Sequence, residues 1–250
     1  MADRSVERHG SQSPTKRSGK GGFLTGQGTA FTTPPGERRV AQPAVDICFV
    51  FDTTGSMSNK IEGLIRCLVE LVDDLDELDL DWRLTTVPFG DLTFKRLGDD
   101  VVSTQPFVHE REAAQQQIRE MPRFSGGGNY GESSIEAMFA GLAKSYRPRA
   151  VKIIVLLTDE PALTSSQTTP EAVDRGLHDA EAICFVASPP ELRYFQDWAH
   201  RHGGEWYQIG PTMDFELLRS LLSRLATVAR EVHTLAGGSV KRYLELGSGS

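Results

Sequence analysis

From residue 45 onward, continuous apolar runs alternate with stretches whose apolar residues recur every three or four positions. The run VDICFVF at 45–51 predicts a strand covered on both faces. Ile61, Leu64, Ile65, Leu68, Leu71, Val72 and Leu75 then mark one face of a helix over 56–78. A second strand is predicted over 82–89 and a weaker third over 101–107. Helices follow over 110–121, stopped by Pro122, and over 133–144. Val151–Leu157 is another continuous apolar run and predicts a central strand. Beyond it come a helix at Pro170–Asp179, a buried strand at 182–187 and a helix at 190–202 ended by Gly203-Gly204. A short last strand at 206–209 and a helix at 215–235 complete the pattern. Strands alternating with helices imply an α/β fold: a doubly wound, mainly parallel central sheet flanked by helices.

The first 44 residues break this pattern. They are rich in Gly, Ser, Thr and Pro, with Phe23, Leu24 and Phe31 as their large apolar groups. Such a segment buries too little surface to offset its ordering entropy and is expected to be a disordered tail. TTPPGERR at 32–39 reads as an extended linker. The domain is thus expected over 45–236. A C-terminal extension over 237–250 ends in Gly247-Ser248-Gly249-Ser250, which resembles an artificial linker.

Charge sharpens this division. Residues 1–44 hold seven Lys/Arg against three acidic residues, a net of +4, leaving −11 for the rest of a chain whose total is −7. An acidic domain is a poor nucleic-acid binder, because phosphate contacts need a positive face. A short basic tail is more often solvated than bound. No apolar run approaches the roughly 18 residues of a membrane span, and the N-terminus lacks a signal-like apolar segment. Cys48, Cys67 and Cys184 are odd in number and lie in apolar surroundings. They are expected to be buried free thiols, which points to the cytoplasm. Ser18-Gly19-Lys20 is no P-loop, because Pro14 stands where the leading Gly belongs and Gly21 follows the Lys.

In a doubly wound sheet, ligands bind beyond the carboxyl ends of the strands. Three polar loops fall there: Asp52-x-Thr54-x-Ser56 after the first strand, Thr158-Asp159-Glu160 after the central one, and Ser125-Gly126-Gly127-Gly128-Asn129-Tyr130-Gly131-Glu132 before the helix at 133. Their oxygens are hard donors suited to Mg²⁺ or Mn²⁺. Asp52, Thr54 and Ser56 alternate, so all three can face inward where Gly55 lets the chain turn. A serine ahead of an amphipathic run can equally be a helix cap, the favoured role for Ser58.

DTTGSMS after VDICFVF resembles the metal-ion-dependent adhesion site (MIDAS) of von Willebrand factor A (VWA) domains, of a bacterial intracellular type. The likeness extends to about residue 209 and includes LLTDE, similar to the family's strand-plus-Thr-Asp loop. It implies that Thr54 and Ser56 bind the ion directly, while Asp52 and Asp159 act through waters or orient the other ligands. The adhesion-receptor pattern supplies a Thr from the middle loop. Here GGGNYGE is similar to a branch with GGG-Asp/Asn-x-x-Glu, so Asn129 or Glu132 would supply that oxygen. Glu132 can also be read as a helix-start carboxylate facing the dipole.

The resemblance implies a cytoplasmic adaptor or scaffold, not an enzyme. Its Mg²⁺ (or Mn²⁺) would receive an acidic side chain of a partner protein, such as an AAA-type ATPase, a protein kinase or a phosphatase. Neither nucleic acid nor membrane is expected as a partner. No activated nucleophile is apparent, and no His adjoins the metal loops. Two other readings stay open: metal-assisted phosphoester hydrolysis with Glu160 or Glu132 as base, and a scaffold with a degenerate, empty site.

Overall fold

The computed structural model describes residues 42–77, 80–126, 128, 130–164, 169–209 and 215–247. The N-terminal tail up to residue 41, Asn129 and the final Ser-Gly-Ser lie outside the described residues.

Five parallel strands form one sheet in the order β2-β1-β3-β4-β5: β1 Ala44–Asp52, β2 Asp81–Phe89, β3 Val151–Leu157, β4 Ala182–Ser188 and β5 Trp206–Gln208. The helices are α1 Ser58–Glu77, α2 Arg111–Arg119, α3 Ser134–Leu142, α4 Pro170–Asp179, α5 Arg193–Arg201, α6 Phe215–Ala236 and α7 Val240–Gly247. The continuous runs are strands because both of their faces are covered. Ile47, Phe49 and Phe51 pack under α1, α2 and α6 through residues such as Leu64, Leu68, Ile118, Leu225 and Val228. Cys48 and Val50 face the opposite way, toward Ile135 and Met138 of α3 and Phe195 and Trp198 of α5. All three cysteines are buried and unpaired. Among the described residues, no helix is long and apolar enough to cross a membrane.

Three differences from the sequence pattern have local causes. The segment 101–107 is not a strand. It and its flanking Val108 meet β2 through the isolated antiparallel bridges Phe89–Val101 and Leu84–Val108 and a hydrogen bond from Thr85 Oγ1 to Gln105 O (3.0 Å), not through a continuous ladder. Pro88 and Pro106 have no N–H to offer a ladder, and the carbonyls of Ser103, Gln105 and Pro106 turn to side chains. Lys144 Nζ donates to Ser103 O (2.8 Å) and Gln105 O (2.7 Å), and Gln117 Nε2 donates to Pro106 O (3.0 Å). Second, α1 starts at Ser58, as its first residue, after a 3₁₀ turn at Gly55–Met57. Third, the extension beyond 236 contains α7, which buries Val240 and packs Tyr243 and Leu244 on the core.

The strand order reverses at β1, whose sequence successor β2 lies on one side and β3 on the other. The crevice at this switch point opens between the ends of β1 and β3. The register pairs Phe51 with Leu157, so Asp52 and Thr158 leave the sheet side by side.

Candidate metal centre

A continuous hydrogen-bonded chain of side chains runs across that crevice. Thr158 Oγ1 donates to Asp52 Oδ2 at 2.8 Å. Asp52 Oδ1 accepts from Thr54 N at 3.0 Å and from Thr54 Oγ1 at 2.6 Å. Thr54 Oγ1 and Ser56 Oγ lie 3.0 Å apart, and Ser56 Oγ donates to Asp159 Oδ1 at 2.7 Å. Lys60 Nζ closes the chain on Asp159 Oδ2 at 2.6 Å. Four of the six residues expected from the sequence therefore meet: Asp52, Thr54, Ser56 and Asp159.

The backbone explains why they meet. Thr53 N donates to Phe89 O (3.0 Å), Phe124 N to Thr53 O (2.9 Å) and Gly55 N to Ser125 O (3.3 Å), which holds the 52–56 loop against β2 and the 124–126 segment. A Cβ on Gly55 would stand 2.9 Å from Ser125 O, so the turn requires glycine. The loop ending at Glu132 is laced to the one after β3: Glu132 N donates to Pro161 O (2.9 Å) and Leu163 N to Glu132 O (2.8 Å). Glu132 is buried behind this lacing, 4% exposed.

Lys60 answers Asp159, but Asp52 and Glu132 have no basic ion-pair partner among the described residues. Burial pushes the Asp52 carboxyl up to about 6, against the hydrogen bonds from Thr54 and Thr158 that favour its ionised form. Burial also pushes Glu132 up to about 8, reinforced by Asp52, Asp91, Asp99 and Glu160. Glu160 is raised by burial and by Asp159, with Lys60 opposing. In each case a nearby cation would favour the ionised form.

Sequence reasoning missed Lys60 and Asp99. Lys60 lies in the first turn of α1, four positions beyond Ser56 of the 3₁₀ turn, and reaches the same Asp159 carboxylate. Asp99 belongs to no motif. It accepts from the backbone N–H groups of Asp91, Ser125 and Gly126.

The donor set suits a hard divalent ion. Ligands of octahedral Mg²⁺ bind at about 2.0–2.1 Å, so neighbours at right angles stand about 3 Å apart. The Thr54 and Ser56 hydroxyls already have that separation. Among the described residues, no three His, Cys, Asp or Glu side chains gather as a metal cage. The centre instead mixes two carboxylates with hydroxyls. A depression of about 280 Å³ lined by Thr53, Thr54, Ser58, Ile61 and Phe124 adjoins it. A larger cavity, about 880 Å³, is lined by His202, Gly204, Val240, Tyr243 and their neighbours and shares no residue with these loops.

The von Willebrand factor type A domain model matches residues 46–186. The chain belongs to this family. No curated protein matches it in sequence. Among solved structures, the VWA fold seen here is similar to the pilus adhesin SpaC from Lactobacillus rhamnosus GG in its open conformation, with a TM-score of 0.57 and 14% identity. That match covers 77% of this chain and 31% of the adhesin. It is also similar to proximal thread matrix protein 1 from the mussel byssus, with a TM-score of 0.54, 16% identity, and coverage of 76% of this chain and 46% of that one. This chain therefore spans less than half the length of either protein, and at these identities the likeness is one of fold.

Proposed function

We propose that this VWA domain is a metal-dependent protein-binding module, an adaptor or scaffold that engages an acidic side chain of its partner. The observation that carries this reading is the unbroken chain Thr158–Asp52–Thr54–Ser56–Asp159 at the switch point. It presents two hydroxyls at ligand spacing, with a carboxylate behind each. Thr54 and Ser56 would hold Mg²⁺ (or Mn²⁺) directly. Asp52 orients Thr54 and Asp159 orients Ser56, each through a hydrogen bond already formed. Glu132, or Asn129 from the same loop, would complete the donor set in this MIDAS-like arrangement. When bound, the ion supplies a position open to a carboxylate from another protein. Tyr130, 77% exposed beside that loop, adds an aromatic surface of the kind that anchors interfaces.

Family membership favours interaction over catalysis. Two of the described histidines engage elsewhere: His202 lies 3.0 Å from Asp174, and His109 pairs with Glu110. The partners the reading favours are an AAA-type ATPase, a protein kinase or a phosphatase, in the cytoplasm, where three buried free thiols would stay reduced.

The test is partner capture on immobilised chain in Mg²⁺, in EDTA, and with Ser56→Ala. Recovery that needs both the metal and Ser56 is expected. Recovery unchanged by EDTA would favour a scaffold with a degenerate site.

A further inference from the structure

Behind the Thr54–Ser56 hydroxyls, the loops after β2 and before α3 enclose three more carboxylates. Asp91, Asp99 and Glu132 are 0%, 2% and 4% exposed. Asp99 is fully engaged: Oδ2 accepts from Gly126 N (2.9 Å) and Asp91 N (3.3 Å), and Oδ1 accepts from Ser125 N (3.1 Å). Asp91 is half engaged. Its Oδ1 accepts from Thr93 N (2.8 Å) and Thr93 Oγ1 (2.6 Å), while its Oδ2 is buried with no hydrogen-bond partner. Glu132 Oε2 is also buried and unpartnered. Two bonds tie the segments together, Leu92 N to Ser133 Oγ at 2.9 Å and Ser133 N to Gly90 O at 3.4 Å, so the Asp91 and Glu132 side chains leave neighbouring backbone. Among the described residues, the ion pairs formed by Lys and Arg leave all three carboxylates without a basic partner.

Carboxylates are rarely buried this deeply without a counter-charge, because desolvation disfavours their ionised form strongly. Hydrogen bonds satisfy Asp99, but nothing answers the two open oxygens. We infer that Asp91 and Glu132 hold a second hard divalent cation, separate from the one on Thr54 and Ser56. With two carboxylates as its charged donors, the ion would be of the Ca²⁺ or Mn²⁺ type, completed by neutral oxygens. Glu132 stands between the two positions. A Cβ on Gly126 would lie 3.1 Å from Glu132 Oε1 and 3.3 Å from Thr54 Cβ, so Oε1 is on the Thr54 side while Oε2 is the buried oxygen. The inference shares Glu132 with the proposed function but otherwise rests on different residues. The competing occupant is a proton held by Glu132, whose carboxyl is pushed up to about 8 by burial and its acidic neighbours.

The experiment counts Mn²⁺ bound per full-length chain, by electron paramagnetic resonance of free Mn²⁺, in the wild type, Asp91→Asn and Ser56→Ala. Asp91→Asn retains an oxygen for the Thr93 cap, and without metal its melting temperature should equal or exceed that of the wild type. Expected are two ions in the wild type and one in each variant. A single ion that Ser56→Ala removes and Asp91→Asn leaves would overturn the inference, with the inner pocket holding a proton only. A single ion that Asp91→Asn removes and Ser56→Ala leaves would uphold it and sink the outer site instead. A metal-free Asp91→Asn that melts well below the wild type would overturn it too, since Asp91 would then be structural.

Discussion

Ser56 Oγ donates to Asp159 Oδ1 at 2.7 Å across 103 positions of sequence, joining the loop after β1 to the loop after β3. Ser56 is exposed and replaceable without loss of packing. Ser56→Ala should therefore change stability by no more than about 0.5 kcal/mol while weakening Mg²⁺ binding at least about tenfold, roughly one ligand's share. Calorimetry beside a thermal melt checks both; undiminished binding would remove Ser56 from the site.

Asp52 behaves differently because it is fully buried and accepts three hydrogen bonds. Asp52→Ala should abolish Mg²⁺ binding and also destabilise the fold, since each abandoned buried donor costs about 1–3 kcal/mol. Asp52→Asn should lose the metal with a smaller stability cost. Calorimetry showing equal Mg²⁺ binding by Asp52→Ala would sink the assignment.

Among the described residues, Lys60 supplies the one cation paired with Asp159. An ammonium within about 5 Å of a bound ion opposes it by about 1–3 kcal/mol per unit charge, depending on the local dielectric. Lys60→Met should thus bind Mg²⁺ about tenfold more tightly than the wild type. Weaker binding by Lys60→Met would mean that Lys60 serves chiefly to orient Asp159.

These residues also mark how much the sequence disclosed. VDICFVF and the Val151–Leu157 run were legible because uninterrupted apolar residues can only be strands buried on both faces or a buried helix, and their length decides it. Asp52, Thr54, Ser56 and Asp159 were legible because each directly follows such a strand. The 101–107 segment misled because Val101, Val102 and Phe107 look strand-like, whereas its carbonyls are claimed by Lys144 and Gln117 from distant elements. α7 escaped notice because only Val240, Tyr243 and Leu244 mark its inner face, after a Gly237-Gly238 pair that reads as a stop. Asp99 left no trace, because a carboxylate bound only by backbone N–H groups has no side-chain partner to form a motif.

The buried carboxyls make metal-free stability depend on pH. Asp52 is raised to about 6 and Glu132 to about 8, so the folded chain holds protons that the unfolded chain has released. Stability that these groups contribute below the ordinary carboxylate range is lost as pH rises through about 6 and then about 8. Metal-free protein should melt at a lower temperature at about pH 8.5 than at about pH 5.5, by at least about 2 °C, the effect of roughly one kcal/mol in a domain this size. Mg²⁺ should raise the melting temperature more at the higher pH, where the carboxylates are free to bind it. Differential scanning calorimetry of wild type and Glu132→Gln checks the source, because the variant should show a flatter profile. A metal-free melting temperature that rises with pH over this window would overturn the argument.

Gly126 tests whether the middle loop belongs to the site or merely borders it. It has φ +72 and faces both Glu132 Oε1 and Thr54, which a Cβ would meet at 3.1 Å and 3.3 Å. Gly128 has a similar φ of +66 but open space around the same position. Alanine at either residue carries the left-handed backbone penalty of about 1–2 kcal/mol. Gly126→Ala alone must also push apart Glu132 and Thr54, two groups that the proposed function asks to share one ion. Gly126→Ala should therefore lose at least as much stability as Gly128→Ala in thermal melts, and substantially more Mg²⁺ affinity. Equal affinities in the two variants would place Glu132 outside the ion's reach and leave the donor set to the Asp52 and Asp159 loops.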